Sequence, residues 1–306
     1  MRAKAIVKIC ICGTIALVLA SMLVSLLALP RVLDWKIGDL SFHWIDDHGS
    51  DEGYTVGEAS VSGEVRELDV SWLSGSVTVE LTDGDAVTLR EEPQPESSDA
   101  RMRWKLQDGK LTVYSQKSGL TIPTRAKQLT IGIPAGRAEK LQKLSLDLSA
   151  ATASLPALTL RELELDSVSG SVTLTGGSYE NLDFDSTSGD LTLTSAAVGE
   201  LSADTTSGSL TLGGAFETID FDTTSGALHL TASALPRDIS CDTVSGGVML
   251  TLPENGGFSA TLDSVSGDLT VDGFAGSLHR DEFVYGQGGP AYEFDSVSGD
   301  VHIRCA

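Results

Sequence analysis

The feature that most constrains this chain is an internal repeat in its C-terminal half. Seven segments align without gaps on the motif Asp-Ser/Thr-x-Ser-Gly, each flanked by residues that alternate between apolar and polar. Neighbouring motifs are 18–21 residues apart, except for a last interval of 32 residues. With a degenerate eighth copy placed first, the motif aspartates are Asp147, Asp166, Asp185, Asp204, Asp222, Asp242, Asp263 and Asp295. So short a period is typical of proteins that stack small structural units.

Each copy has the pattern of a strand, a turn and a second strand. Around Asp222, Ile219 and Phe221 lie at positions of one parity, and Leu228 and Leu230 resume the alternation after the turn. Stacked copies would place like residues above each other, about 4.8 Å apart. We therefore predict an all-β fold, a two-sheeted β-solenoid of strand–turn–strand repeats. An antiparallel meander of hairpins is the alternative, but it gives no reason for equal residues at equal positions.

The region before the regular repeats also contains short strand patterns. The segment from Trp72 to Val79 resembles a degenerate copy of the repeat. We predict one β-repeat domain over residues 63–306, with irregular or capping strands at 63–143 and regular repeats at 144–306. Residues 31–62 show little periodicity, and we interpret them as a juxtamembrane stalk.

An uncharged apolar segment near the N-terminus predicts a membrane anchor. Residues 9–29 are long enough to span a bilayer as a helix, and Arg2, Lys4 and Lys8 precede them. The positive-inside rule then places residues 1–30 as a cytoplasmic tip and single-pass transmembrane helix in the cell membrane, with the repeat domain outside the cytoplasm. A cleavable signal peptide is the alternative, although the segment is long for one and lacks a small-x-small ending. Acylation of Cys10 and Cys12 is a further alternative to ordinary membrane-edge cysteines.

The charge of the chain excludes one class of partner. Its formal net charge is −22 and its pI about 4.4. Nucleic-acid binding requires clustered Lys and Arg, so we expect no nucleic-acid partner. An acidic surface suits an exposed domain, or one that meets cations or basic partners.

The motif aspartates raise an electrostatic problem if they stack. Two unit charges about 4.8 Å apart repel by roughly 1 kcal/mol in water and by more near a protein surface. Three effects could relieve this repulsion: hydrogen bonds from turn N–H and hydroxyl groups, raised pKa values, or bound cations. We favour hydrogen-bonded turn aspartates. Calcium is the alternative, because it prefers oxygen ligands, but the known β-roll pattern G-G-x-G-x-D is absent.

No other pattern predicts catalysis or a cofactor, so we expect a non-enzymatic protein without catalytic, cofactor-binding or metal-binding residues. Ser-Gly recurs in every copy and the motif G-x-S-x-G is missing, so no serine stands out as a nucleophile. The histidines follow no repeat position. The set His43, Asp46, Asp47 and His48 could hold a metal, but we favour the interpretation as part of a polar stalk. Cys241 and Cys305 lie at inward positions, where we expect unpaired core thiols.

These motifs resemble those of a known bacterial family. The chain resembles the DUF4097 family, whose members are described as adhesins with β-strand repeats. The resemblance is carried by the repeats DSVSGSVTL and DSVSGDLTV, the segment Leu129–Pro134 and the C-terminal segment from Val284 to Ile303. The resemblance covers roughly residues 63–306. It implies a location in the bacterial envelope, where some similar proteins accompany envelope-stress regulators, and it assigns no residue a catalytic role.

Three functions are compatible with this pattern. The first is a membrane-anchored extracytoplasmic binding or scaffold protein, adhesin-like, with an unknown protein or glycan partner. The second is an accessory or regulatory protein of an envelope-stress system, and the third is a glycan-active enzyme. The insertion Asp272–Pro290 lies in the long last interval and contains Phe274, Phe283 and Tyr285. We expect it to cover the exposed terminal coil rather than to bind a ligand.

Overall fold

A computed structural model describes residues 45–46, 51–121, 125–279 and 281–306 of the chain. Within these ranges the regular secondary structure is almost entirely β-strand, with one 3-10 turn and one short helix, which confirms the predicted all-β class. The predicted anchor at residues 9–29 lies outside the described residues, as do residues 31–44 of the predicted stalk. No helix in the described ranges combines the length and the apolar character needed to cross a membrane.

The strands before the regular repeats form the N-terminal end of the stack, except Ile45–Asp46 and Leu120–Thr121, which pair antiparallel with each other in a separate two-stranded sheet. They are β1 Ile45–Asp46, β2 Thr55–Val56, β3 Ala59–Val61, β4 Glu67–Thr82, β5 Val87–Glu92, β6 Arg103–Gln107, β7 Lys110–Tyr114, β8 Leu120–Thr121 and β9 Lys127–Pro134. A 3-10 turn covers Ser98–Ala100, and a one-turn helix, α1, covers Ala135–Ala138. β4 runs parallel to β7 and β9, whereas β6 pairs antiparallel with β7 and β5 antiparallel with β9.

The repeats form the remaining strands, which stack on β4. They are β10 Lys143–Leu155, β11 Thr159–Ser167, β12 Val172–Thr175, β13 Ser178–Ser186, β14 Leu191–Thr205, β15 Leu210–Thr223, β16 Leu228–Ala232, β17 Asp238–Thr243, β18 Val248–Leu252, β19 Gly257–Ser264, β20 Leu269–Asp272, β21 Ser277–His279, β22 Glu282–Gly286, β23 Ala291–Ser296 and β24 Val301–Cys305.

The repeat strands are parallel and in register, as a solenoid requires and a meander does not. Asp147 pairs with Asp166, Asp166 with Asp185, and Asp185 with Asp204. In each coil the strand that carries the motif aspartate belongs to one column of parallel pairs, and the strand after the Ser-Gly turn belongs to a second column; we call these columns the first and the second sheet. Long strands such as β14 run from one into the other, so all of them form one hydrogen-bonded sheet of 22 strands. The predicted column of like residues is therefore present.

The core between the two sheets consists of ladders of apolar side chains. Their members are almost fully buried, and burying one such side chain contributes about 1.5–3 kcal/mol. In one ladder Ala203 lies between Phe184 and Phe221, so a small residue separates two rings. Two of the ladders are Leu144, Leu163, Leu182, Leu201, Ile219 and Ile239, and Leu146, Leu165, Phe184, Ala203, Phe221 and Cys241.

The coils at the C-terminal end do not stack in chain order. β23 lies between β17 and β19, and β24 lies between β18 and β20. Tyr292 of β23 is buried there; its hydroxyl donates to the Pro236 carbonyl at 2.9 Å, and its ring stacks on Phe258 at 5.7 Å. The terminal coil of the stack is therefore formed by residues 257–272 and not by the last repeat of the sequence.

The insertion between these coils covers the edge of the terminal strand, as predicted from its position. β21 and β22 form a hairpin, and β22 pairs antiparallel with β19 from Gly257–Gly286 to Thr261–Glu282. The rings of Phe274 and Phe283 pack against Phe258 at 5.0 and 5.7 Å. The hairpin thus satisfies a row of backbone groups that would otherwise offer an open edge.

Candidate functional site

The motif aspartates form one outward-facing column along the first sheet. Because the last coils change order, Asp295 lies between Asp242 and Asp263 in this column. Within the described part of the chain, none of the seven carboxylates after Asp147 accepts a hydrogen bond or pairs with a cation. These seven are Asp166, Asp185, Asp204, Asp222, Asp242, Asp263 and Asp295.

The predicted hydrogen bonds to the aspartates are wrong, because the following residue accepts them instead. The Ser or Thr after each Asp points inward under the turn. Ser167 Oγ accepts from the Gly170 N–H at 2.8 Å, and Thr223 Oγ1 accepts from the Gly226 N–H at 2.8 Å. The same bond recurs at Ser186, Thr243, Ser264 and Ser296. Strand alternation sends the aspartate to the opposite side, away from the turn N–H groups.

The pKa values of six of these carboxylates are instead raised, which is the second of the three effects considered; the six are Asp166, Asp185, Asp204, Asp222, Asp242 and Asp295. Burial, followed by the charges of neighbouring aspartates, raises the pKa of Asp222 to about 7. The same causes raise the pKa of Asp166, Asp185 and Asp242 to about 6. These shifts favour the neutral carboxyl, because crowded carboxylates that lack hydrogen-bond donors are costly to ionise.

A second column of carboxylates lies two residues before the first on the same strands. It contains Glu164, Asp183, Asp220 and Glu293. We call the two columns together the acidic face. At its N-terminal end the Lys143 ammonium contacts Glu162 at 3.0 Å and Glu164 at 2.6 Å. No other lysine or arginine pairs with this face in the described ranges.

The outer face of the second sheet carries its carboxylates at the ends of the strands, among them Asp190, Asp268, Asp272 and Asp300. Its central column begins with Thr173, Thr192 and Thr211 and continues through His229 and Met249. The central columns of the two faces therefore differ in charge.

The acidic face does not gather its carboxylates into a compact metal centre. No group of three or more His, Cys, Asp or Glu side chains in the described residues is arranged to hold a metal ion. In-register stacking puts successive aspartates in a line, whereas calcium requires six to eight oxygens around one point. Calcium binding stays a prediction without a structural site.

The other candidate residues are scattered. His43, Asp47 and His48 lie outside the described residues, and of Asp46 only its place in β1 is described. His302 Nε2 contacts Asp272 Oδ2 at 2.8 Å on the exposed surface of the second sheet. Cys241 and Cys305 are free thiols, and complete burial raises the pKa of Cys241 well above its usual range.

A buried ion pair in the N-terminal region was not found from the sequence. Lys127 Nζ contacts Glu91 Oε1 at 2.6 Å, and it also donates to the carbonyls of Ala100 and Ser115. The Met102 N–H donates to both Glu91 oxygens at 3.1 Å. Both charged side chains are almost completely buried, so every partner is needed to offset their desolvation. The two residues are 36 positions apart and no local pattern links them.

Several solved structures resemble this chain. One is a candidate adhesin from Bacteroides fragilis, 14% identical, with a TM-score of 0.44, covering 83% of this chain and 98% of that chain. Another is a candidate lipid-binding protein from Parabacteroides distasonis, 14% identical, with a TM-score of 0.45, covering 83% of this chain and 97% of that chain. A candidate adhesin from the same species is 12% identical, with a TM-score of 0.43, covering 84% of this chain and 98% of that chain.

No curated protein matches the sequence. The family profile described as Toastrack DUF4097 matches residues 65–304, which span the strands from β4 onward and the repeats. The parallel in-register repeats and this match agree: the chain belongs to the DUF4097, or Toastrack, family.

Proposed function

We propose that this protein is a non-enzymatic binding module, adhesin-like, that presents its acidic face to basic partners outside the cytoplasm. The observation that carries the proposal is the column of seven carboxylates on one sheet, none of which has a partner among the described residues. Buried apolar ladders fix the positions of these groups. A fixed array of like charges attracts an oppositely charged surface and raises the rate of encounter with it.

The proposal includes attachment to the cell membrane through residues 9–29. The apolar character and length of this segment and the basic residues before it support the attachment. Such an anchor places the solenoid outside the cell with its N-terminal end towards the membrane.

A binding experiment on the full chain tests the role of the acidic face. The probe is a decalysine peptide, and binding is measured by isothermal titration calorimetry at low and physiological salt. The test variant replaces Asp185, Asp204, Asp222 and Asp242 by Asn. The matched control replaces four exposed carboxylates of the N-terminal region by their amides: Glu58→Gln, Glu64→Gln, Glu80→Gln and Asp83→Asn.

Both variants remove four carboxylates, so a difference between them reports position and not net charge. We expect binding that weakens as salt is raised, that is lost in the test variant and that persists in the control. Equal loss in both variants, or no binding by the unmodified chain, would contradict the proposal.

A further inference from the structure

A long groove runs along the corner of the solenoid where the second sheet leads into the first. Its volume is about 910 Å³, and its lining comes from six successive coils. One rim is formed by one residue from each of the last five of these coils, Arg161, Glu180, Gly199, Glu217 and Arg237, of which Gly199 has no side chain. Four steps between coils at about 4.8 Å make this rim roughly 19 Å long.

The cations of the repeat region are concentrated at this groove. Residues 144–306 contain four arginines and no lysine, and Arg161 and Arg237 lie at the two ends of the rim. The Arg161 guanidinium contacts the Glu180 carboxylate at 3.8 Å, and both side chains are exposed. The side chains of Glu217 and Arg237 have no hydrogen-bond or ion-pair partner in the described part of the chain. The groove is therefore close to neutral on a strongly acidic protein.

The floor of the groove offers little apolar area to a ligand. Tyr179, Val198 and Phe216 form it, and each is only 2–3% exposed. An amphipathic helix or an acyl chain needs a broad apolar surface to bind in a groove. The floor therefore disfavours both of these occupants.

Among the described residues, backbone N–H groups along the groove are already used in bonds between coils. The N–H groups of Arg161, Ser178, Ala197 and Arg237 donate to carbonyls of the preceding coil at 2.8–3.0 Å. Peptides that bind as strands depend on unpaired main-chain groups of the receptor. An occupant of this groove must therefore be recognised by side chains.

We propose that this groove binds an extended, uncharged oligosaccharide. Sugar hydroxyls both donate and accept hydrogen bonds, so they match a rim that carries arginines at its two ends and glutamates between them. Because the groove has little net charge, it suits an uncharged ligand better than a polyion. Ala197 and Gly199 place no large side chain at the centre of the groove, which leaves it open for a chain crossing the coils. The site is separate from the acidic face and does not depend on the function proposed for that face.

Calorimetric titration of the full chain with cellohexaose and with N-acetylchitohexaose tests the proposal. Both are straight, uncharged β-linked chains, and any detergent used must lack a sugar headgroup. We expect saturable binding of at least one hexasaccharide, insensitive to salt. Ala197→Trp fills the groove and is expected to abolish binding, and Glu217→Gln combined with Arg237→Gln is expected to weaken it about tenfold or more.

Two matched variants outside the groove serve as controls. Ala150→Trp adds the same side chain at another exposed alanine, and Glu254→Gln removes a carboxylate from an exposed loop. Both should bind like the unmodified chain, and circular dichroism should show equal folding for all variants. Absence of heat with both hexasaccharides, or equal affinity in folded Ala197→Trp, would overturn the proposal. Decalysine binding that is lost in Ala197→Trp would also overturn it, because it would assign the groove to a charged ligand.

Discussion

Asp222 pairs in register with Asp242 of the next coil, so their two carboxylates lie next to each other on the outer face of the sheet. Within the described residues neither accepts a hydrogen bond or contacts a cation. Their mutual repulsion is therefore built into the repeat, and the apolar ladders beneath must offset it. This makes the stability of the solenoid dependent on pH.

Asp222→Asn should stabilise the protein at pH 8 and leave its stability nearly unchanged at pH 4. The pKa of Asp222 is about 7 in the fold, above the value of about 3.9 in an unfolded chain. Because the folded state holds this proton more tightly, its contribution to stability is present near pH 4 and is lost as pH rises towards 7. We expect a gain of about 1–2 kcal/mol at pH 8, measured by chemical denaturation. Asp83→Asn, at an exposed site, is the control, and equal gains at both pH values would refute the explanation.

Gly189→Ala should destabilise the stack, because the turn glycines of neighbouring coils approach too closely for a side chain. A Cβ at Gly189 would lie 2.1 Å from the Gly170 carbonyl oxygen and 2.9 Å from Ser186 Oγ. Overpacking of this kind costs about 1–3 kcal/mol, measurable as a lower denaturation midpoint. Gly136→Ala is the matched control, since no atom lies within 4 Å of its added Cβ. A midpoint for Gly189→Ala equal to that of the control would show that the turns can relax.

Lys127→Met should destabilise the N-terminal end of the stack by about 3–5 kcal/mol, because it leaves the Glu91 carboxylate buried without its cation. The loss should appear in chemical denaturation at pH 7. Lys110→Met is the control, since Lys110 Nζ pairs with Asp69 at 2.8 Å on the exposed surface and such pairs contribute less than about 1 kcal/mol. Similar losses for the two variants would mean that burial does not govern the effect.

Replacing residues 275–288 by a Gly-Ser linker should cause concentration-dependent association. The change removes the hairpin that pairs with β19 and exposes the backbone groups from Gly257 to Thr261. Light scattering coupled to size-exclusion chromatography measures the mass of the variant beside that of the unmodified chain. Leu278→Ser, at an exposed position of the same hairpin, should leave the mass unchanged. An unaltered mass in the linker variant would mean that the uncovered edge of β19 does not cause association.

The repeat pattern predicted the register of the strands, because in a parallel stack each position meets its own counterpart. It predicted the Asp column for the same reason. It did not predict which side chain accepts the hydrogen bond from the N–H of the turn glycine, since Asp and the following Ser or Thr are both good acceptors. Only the inward direction of Ser167 and its counterparts decided that question.

The order of the last coils and the corner groove could not be obtained from the pattern. Tyr292 occupies a place between Ile239 and Ala260 that its position in the sequence does not indicate. Local periodicity contains no information about which equivalent coil a strand will join, because all coils offer the same hydrogen-bonding edge. Packing of Tyr292 and the rings around Phe258 selects one of them.

The sequence by itself determined the repeating strand–turn–strand unit, the all-β class and the acidic character of one face. These properties follow from alternation and composition, which are local. The tertiary structure alone decided the position of β23 and β24 between earlier coils. It also decided the burial of Glu91 against Lys127 and the set of side chains that meet at the groove. Those arrangements depend on contacts between residues far apart in the chain, and the free energy of such contacts is set only when the coils are packed together.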